Sequence, residues 1–144
     1  NKSIRFNMGP QFDAIPTAEG WQLSNPSILS MAALRASMEI FDDVGMERLR
    51  AKSVELTNYL EFLLDQHPSQ QFSVITPRDS HQRGCQLSIR VRKNGRALFD
   101  HLTTQGVVCD WREPDVIRVA PVPLYNSFMD VWKFVEILKD CLKN

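Results

Sequence analysis

VVCDWREPDVIRVAPVP, residues 107–123, is the stretch on which the reading of the fold rests. Two apolar runs, Val107–Trp111 and Val116–Ala120, flank the polar Glu113-Pro114-Asp115. Short runs rich in Val and Ile, separated by turn residues, predict a pair of strands. Side chains alternate along a strand, so Val116, Arg118 and Ala120 share one face while Ile117 and Val119 take the other. Pro121 and Pro123 stop the second strand, because proline cannot donate to the ladder.

Upstream, period two returns in CQLSIRV (Cys85–Val91), with Cys85, Leu87, Ile89 and Val91 on one side and Gln86, Ser88 and Arg90 on the other. FSVIT (Phe72–Thr76) predicts a further short strand. Between the strands, Asn94 is placed to cap a short helix carrying Leu98, Phe99 and Leu102, and Gly106 suits the position just past its end. Downstream, Ser127 and Asp130 have the spacing of a capping box, opening a helix with Phe128, Val131, Val135, Leu138 and Leu142 on one face.

The N-terminal half is helical. Ile28, Met31, Leu34, Met38 and Phe41 recur at three- and four-residue steps until Gly45. A longer helix follows, with Met46, Leu49, Ser53, Leu56, Leu60 and Leu63 on one stripe and Pro68 beyond its end. Its charged residues, Glu47, Arg48, Arg50, Lys52, Glu55 and Glu61, read as a solvated surface. Residues 1–27 read as an irregular approach segment punctuated by Gly9-Pro10, Pro16 and Gly20. Residues 28–144 read as a small domain with leading linker helices. The expected class is α/β, in its α+β form: a small, largely antiparallel sheet covered by helices.

Seventeen basic residues balance seventeen acidic ones, so the chain lacks the electrostatic footprint of a nucleic-acid or anionic-membrane binder. No apolar run approaches the ~20 residues of a membrane span, and the N-terminus has no apolar signal-peptide core. Cys85, Cys109 and Cys141 are widely spaced with no C-x-x-C, which argues against a zinc or redox site and predicts reduced, mostly buried thiols. His67, His81 and His101 sit in polar settings and read as surface residues, and His81 and Cys85 are not read as a metal pair or a catalytic dyad. Asp42-Asp43 closes a helix and reads as surface. No metal site is expected. The G-x-G-x-x-G, P-loop and G-x-S-x-G patterns do not occur.

Two positions hold open a choice. Arg118 is the only charge in VIRVAPVP. It is either an edge-strand arginine with its stem on apolar atoms, or an anion clamp whose planar guanidinium matches a carboxylate. Asn25, in GWQLSNPSI (Gly20–Ile28), is either the N-cap of the first helix with Pro26 at the first helical position, or a side chain offered to a ligand. The two roles of Asn25 are compatible, since helix starts attract anions.

Taken together, these stretches resemble the kynureninase family. GWQLSNPSI is similar to its aromatic-x-x-Ser-Asn-Pro-Pro-Ile segment, with Ser27 in place of the usual second proline. RGCQLSIRV (83–91), GVVCDWREPDVIRVAPVPLYNSF (106–128) and DVWKFVEIL (130–138) resemble its C-terminal region in order and spacing, with Trp111 where a basic residue is frequent. The resemblance implies the C-terminal part of an aspartate-aminotransferase-like enzyme dependent on pyridoxal 5'-phosphate. The implied reaction is hydrolysis of the Cβ–Cγ bond of L-kynurenine to anthranilate and L-alanine, or of 3-hydroxykynurenine to 3-hydroxyanthranilate, in tryptophan catabolism. It further implies that Arg118 binds the substrate α-carboxylate, that Asn25 contacts cofactor or substrate, and that Ser24 supports that loop. The lysine that carries the cofactor would lie upstream, because Lys2, Lys52, Lys93, Lys133, Lys139 and Lys143 lack its context. A cytoplasmic homodimer with sites near the subunit boundary is implied as well. The alternatives are another enzyme of the same superfamily, such as a cysteine desulfurase-like or aminotransferase-like protein, and a non-enzymatic α/β binding or oligomerisation module.

Overall fold

The alternation in Leu87–Val91 and Val116–Val119 becomes the two inner strands of an antiparallel sheet. The structure, a computed structural model, describes residues 8–67 and 71–142. Lys2, Pro68 and Lys143, and the Leu142 side chain expected on an apolar helix face, lie outside the described residues. Among those described, the order is α1 (Ile28–Val44), α2 (Met46–Asp65), β1 (Phe72–Val74), β2 (Leu87–Val91), α3 (Gly95–Thr104), β3 (Asp110–Arg112), β4 (Val116–Val119) and α4 (Phe128–Leu142). The strands line up as β1-β2-β4-β3, each neighbouring pair antiparallel. The expected α+β class is thus realised.

The chain divides into two compact units, Asn1–Phe41 and Asp42–Asn144. In the first, a single 3-10 turn, Ala18–Trp21, interrupts an otherwise irregular lead into α1. The apolar stripe of α1 forms as its spacing predicts, yet the helix buries no side chain: Ile28 is 80% exposed and Met38 55%.

The second unit is a two-layer structure. Leu87, Ile89, Val91, Ile117 and Val119 line the inner face of the sheet and join Leu56, Leu60 and Leu64 of α2, Leu98 and Leu102 of α3, and Val131, Phe134, Val135 and Leu138 of α4 in one core. Each fully buried aliphatic side chain contributes about 1.5–3 kcal/mol, so this cluster dominates the stability of the unit. Phe134 joins it although it lies outside the expected apolar stripe of α4, while Phe128, expected on that stripe, stays 43% exposed, its ring edge-on to Tyr59 at 5.6 Å. Met46, expected on the buried stripe of α2, is exposed, and Thr57 and Leu64 are buried instead. Thr57 satisfies its hydroxyl on the Ser53 carbonyl at 2.9 Å.

Helix termini follow local chemistry. At the end of α3, Gly106 takes φ +81 and its N–H reaches the Thr103 carbonyl, while the Val107 N–H reaches that of Leu102. This is a Schellman motif, and its left-handed residue favours glycine. At the start of α3, Asn94 sits at the N-cap position with φ 53 and makes no side-chain cap bond. Asn serves there by tolerating the left-handed conformation, not by capping as expected. Gly95 is required for space, since a Cβ would lie 2.9 Å from the Trp111 ring. The capping box before α4 is complete: the Ser127 N–H donates to Asp130 Oδ2 at 2.8 Å and the Asp130 N–H to Ser127 Oγ at 3.3 Å.

The charged side of α2 departs from the solvated reading. The segment from Arg78 to Arg83 lies against it. Arg50 donates to the Ser80 carbonyl, Asp65 takes a two-bond pair from Arg78 at 2.7 and 2.8 Å, and Glu61 pairs with Arg83 at 2.6 Å. The Arg83 and Glu61 side chains are only 1% and 10% exposed. Arg83 also donates to Asn58 Oδ1 and the Pro77 carbonyl. Positions 50, 58, 61 and 65 fall on one side of the helix, so a single loop covers them together. Lys52 likewise turns away from bulk water to hold the Pro123 carbonyl at 2.8 Å.

Candidate active site

Strand alternation decides where Arg118 goes. Ile117 and Val119 are buried in the core, so Val116 and Arg118 project from the opposite face of the sheet. On that face the cross-strand register sets Ser88, Arg118 and Asp110 in one row, and Arg90, Val116 and Arg112 in the next. β4 is an inner strand, flanked by β2 and β3, so the edge-strand reading of Arg118 is corrected.

Arg118 does not extend freely into water. Its side chain is 30% exposed, and its Nε donates to Asp110 Oδ2 at 2.6 Å while Nη2 donates to the same oxygen. Arg112 Nε lies 3.1 Å from that oxygen. The bond from Arg118 is the main reason the Asp110 carboxyl is held below the usual carboxylate range, with the positive charge of Arg112 contributing. Asp110 therefore stays ionised through the neutral range. Arg118, with Arg112 from the neighbouring row, sets two guanidinium groups around the single Asp110 carboxylate, a net positive cluster suited to a further anion.

Asp110 is the partner of Arg118 that sequence reasoning missed. A signal was available: the two runs are symmetric about Pro114, and folding them there sets Asp110 opposite Arg118.

The Ser-Asn-Pro stretch lies in the other unit, described by itself. α1 begins at Ile28, and the carbonyl of Ser27 accepts the first helical bond, from the Met31 N–H at 2.9 Å. Ser27 thus holds the N-cap position and Asn25 lies two residues outside it, which corrects the capping role assigned to Asn25. The helix starts later because a serine two residues beyond Asn25 can end the extended entry just as well. Asn25 is exposed, and its amide has no hydrogen-bond partner among the described residues. The adjoining loop is tied by Gln22 Nε2 to the Ser24 carbonyl at 2.6 Å.

A groove of about 500 Å³ opens elsewhere on the second unit, between the end of β4 and α4, lined in part by Gly106, Cys109, Pro121, Tyr125 and Asn126. Arg118 is not among its lining residues. The three thiols are free and half-buried rather than mostly buried, and burial raises the pKa of Cys109 and Cys141. His67, His81 and His101 are exposed. Among the described residues, no group of three or more His, Cys, Asp or Glu side chains could hold a metal ion. No helix described is long and apolar enough to cross a membrane.

The model of the kynureninase C-terminal domain matches residues 49–138. This is more than half of the chain, and it includes Asp110 and Arg118. The chain belongs to the kynureninase family. A kynureninase from Koribacter versatilis is 60% identical over 136 residues, covering 94% of this chain and 32% of that protein. One from Myxococcus xanthus is 58% identical over 139 residues, 96% of this chain and 33% of its own length. Another, from Xanthomonas campestris, is 58% identical over 135 residues, 92% of this chain and 32% of its own. The chain thus spans about a third of the length of the kynureninases it matches. Among solved structures, a NifS-like protein shares the fold with a TM-score of 0.67 at 18% identity, over 86% of this chain and 36% of that one.

Proposed function

We propose that this chain is the C-terminal part of a pyridoxal-phosphate-dependent hydrolase that cleaves the Cβ–Cγ bond of L-kynurenine or its 3-hydroxy form. The products would be anthranilate or 3-hydroxyanthranilate and L-alanine, in tryptophan catabolism. Identity near 60% to kynureninases across nearly the whole chain is the observation that carries this reading.

Within this chain, Arg118 is the group that binds the substrate α-carboxylate. It is planar, permanently charged and fixed on an inner strand, and it retains N–H donors beyond the two given to Asp110. Holding the carboxylate orients the rest of the amino acid, which is how a binding contact becomes a rate effect. Asn25 contributes an exposed amide, able both to donate and to accept, to cofactor or substrate, and Ser24 steadies its loop.

The residues described fit pyridoxal phosphate as supporting groups. The unpartnered Asn25 amide suits a polar contact to it. Lys52 and Lys139 already use their ammonium groups on the Pro123 carbonyl and on Glu136. The likeness to kynureninases, of which this chain spans about a third, assigns the covalent lysine to the part of the protein upstream of this chain. When bound, the cofactor supplies an electron sink for charge developing at the substrate carbons.

Residues 1–27 are read as the approach from a large domain and 28–144 as the small domain with its linker helices. A cytoplasmic homodimer is the proposed assembly, and three unpaired thiols accord with a reducing compartment. The test is a substrate panel on the full-length, cofactor-loaded protein. Anthranilate release from L-kynurenine is expected. Sulfide release from cysteine, or keto-acid formation without anthranilate, would overturn the reading in favour of another enzyme of the same fold.

A further inference from the structure

The contact between Asp110 and Arg118 is asymmetric. One oxygen, Oδ2, accepts from both Nε and Nη2 of Arg118, so Asp110 occupies the side-on edge of the guanidinium. Nη1 has no partner among the described residues. The end-on edge, Nη1 with the outer N–H of Nη2, therefore remains available. Asp110 is also held by Arg112, whose Nε lies 3.1 Å from the same oxygen, and its backbone is fixed by strand pairing directly opposite Arg118.

We infer that Asp110 is a positioning residue for substrate recognition: it grips the side-on edge of Arg118 and presents the end-on edge to the α-carboxylate. The inference rests on the reading of Arg118 as the carboxylate-binding group and deepens it. A long guanidinium side chain left unpaired on an open sheet face samples several rotamers, and binding would have to freeze them. Asp110 freezes them in advance. Arg112 completes the arrangement by offsetting the negative charge of Asp110, which would otherwise repel the incoming carboxylate. In the opposite arrangement, Asp110 blocks the guanidinium and the substrate must displace it. The two arrangements predict opposite changes in KM.

The experiment uses the full-length, cofactor-loaded enzyme in four forms: wild type, Asp110→Ala, Arg118→Gln and the double variant. For Asp110→Ala, a roughly 2- to 10-fold rise in KM for L-kynurenine with little change in kcat is expected, the range for freeing one immobilised long side chain. Asp110→Asn, which retains an acceptor oxygen, should fall between wild type and Ala. Affinity for the decarboxylated analogue of the substrate should be unaltered, which a general loss of structure would not spare. In the Arg118→Gln background, Asp110→Ala should add nothing. If Arg118→Gln is impaired while Asp110→Ala has a wild-type or lowered KM, Asp110 does not position the clamp and the inference falls while the role of Arg118 stands. If Arg118→Gln is itself unimpaired, the clamp reading falls and takes the inference with it.

Discussion

At the scale of single residues, what a side chain does is decided by where the backbone lets it point. Asn25 illustrates this. Its sequence context favours a cap, but α1 starts at Ile28 with Ser27 at its entry, so the Asn25 amide is left without an internal role. Asn25→Ala is therefore expected to change stability by no more than about 0.5 kcal/mol, as at an ordinary surface position. In the full-length enzyme it should nonetheless weaken cofactor affinity or kcat/KM. Thermal melting alongside steady-state kinetics checks this, and wild-type kinetics would leave Asn25 without a function. Asp110 shows the converse. Nothing in its immediate neighbours marks it as functional, and only the register of the hairpin pairs it with Arg118.

At the scale of elements, the inner strands, the end of α3 and the start of α4 were legible in the sequence because their causes are local. Alternation in Leu87–Val91 and Val116–Val119, the Gly106 terminus and the Ser127–Asp130 box each depend on residues within a few positions. The dry side of α2 was not legible, because Glu61 meets Arg83 only after a loop returns across the helix. On a helix surface glutamate is ordinarily solvated, and no periodicity distinguishes the one that a loop will cover. Removing one partner of a buried ion pair strands the other, so Glu61→Ala should destabilise by about 3–5 kcal/mol. Replacing Glu61 and Arg83 together by apolar residues of similar size should recover most of that loss. Urea unfolding of the single and double variants tests it, and an additive double variant would contradict a coupled pair. Acid should loosen the same element and its neighbours. Asp65, held below the ordinary value of 3.8 by its bond from Arg78, Asp110 by Arg118 and Asp130 by the Ser127 N–H all have lowered folded values. A lowered folded pKa gives stability that is complete above the unfolded value and is lost as pH falls through the folded one. The melting temperature should thus be flat above about pH 5 and fall as pH drops below about 4. Asn at positions 65 and 130 should flatten that fall.

At the largest scale, within the unit Asp42–Asn144, a helical layer covers one face of a four-stranded sheet, and the other face carries a row of charged groups with Arg118 on an inner strand. The apolar side chains needed to hold that sheet alternate with the charged ones, so the same two-residue period supplies both the core and the charged row. Of the site itself, Arg118 stood out in the sequence as a lone charge in an apolar run. Its partner, its inner-strand position and the side-on grip of Asp110 needed three dimensions. The most direct measurement is kcat/KM for L-kynurenine in the full-length, cofactor-loaded Arg118→Gln enzyme, taken with its melting temperature. Truncating one member of a charged, hydrogen-bonded pair costs about 2–5 kcal/mol, or roughly 30- to several-thousand-fold. A fall of that size in a folded, cofactor-loaded variant, with only partial recovery in Arg118→Lys, is predicted. Near-wild-type kcat/KM in that variant would contradict the assignment of Arg118 as the group that holds the substrate carboxylate.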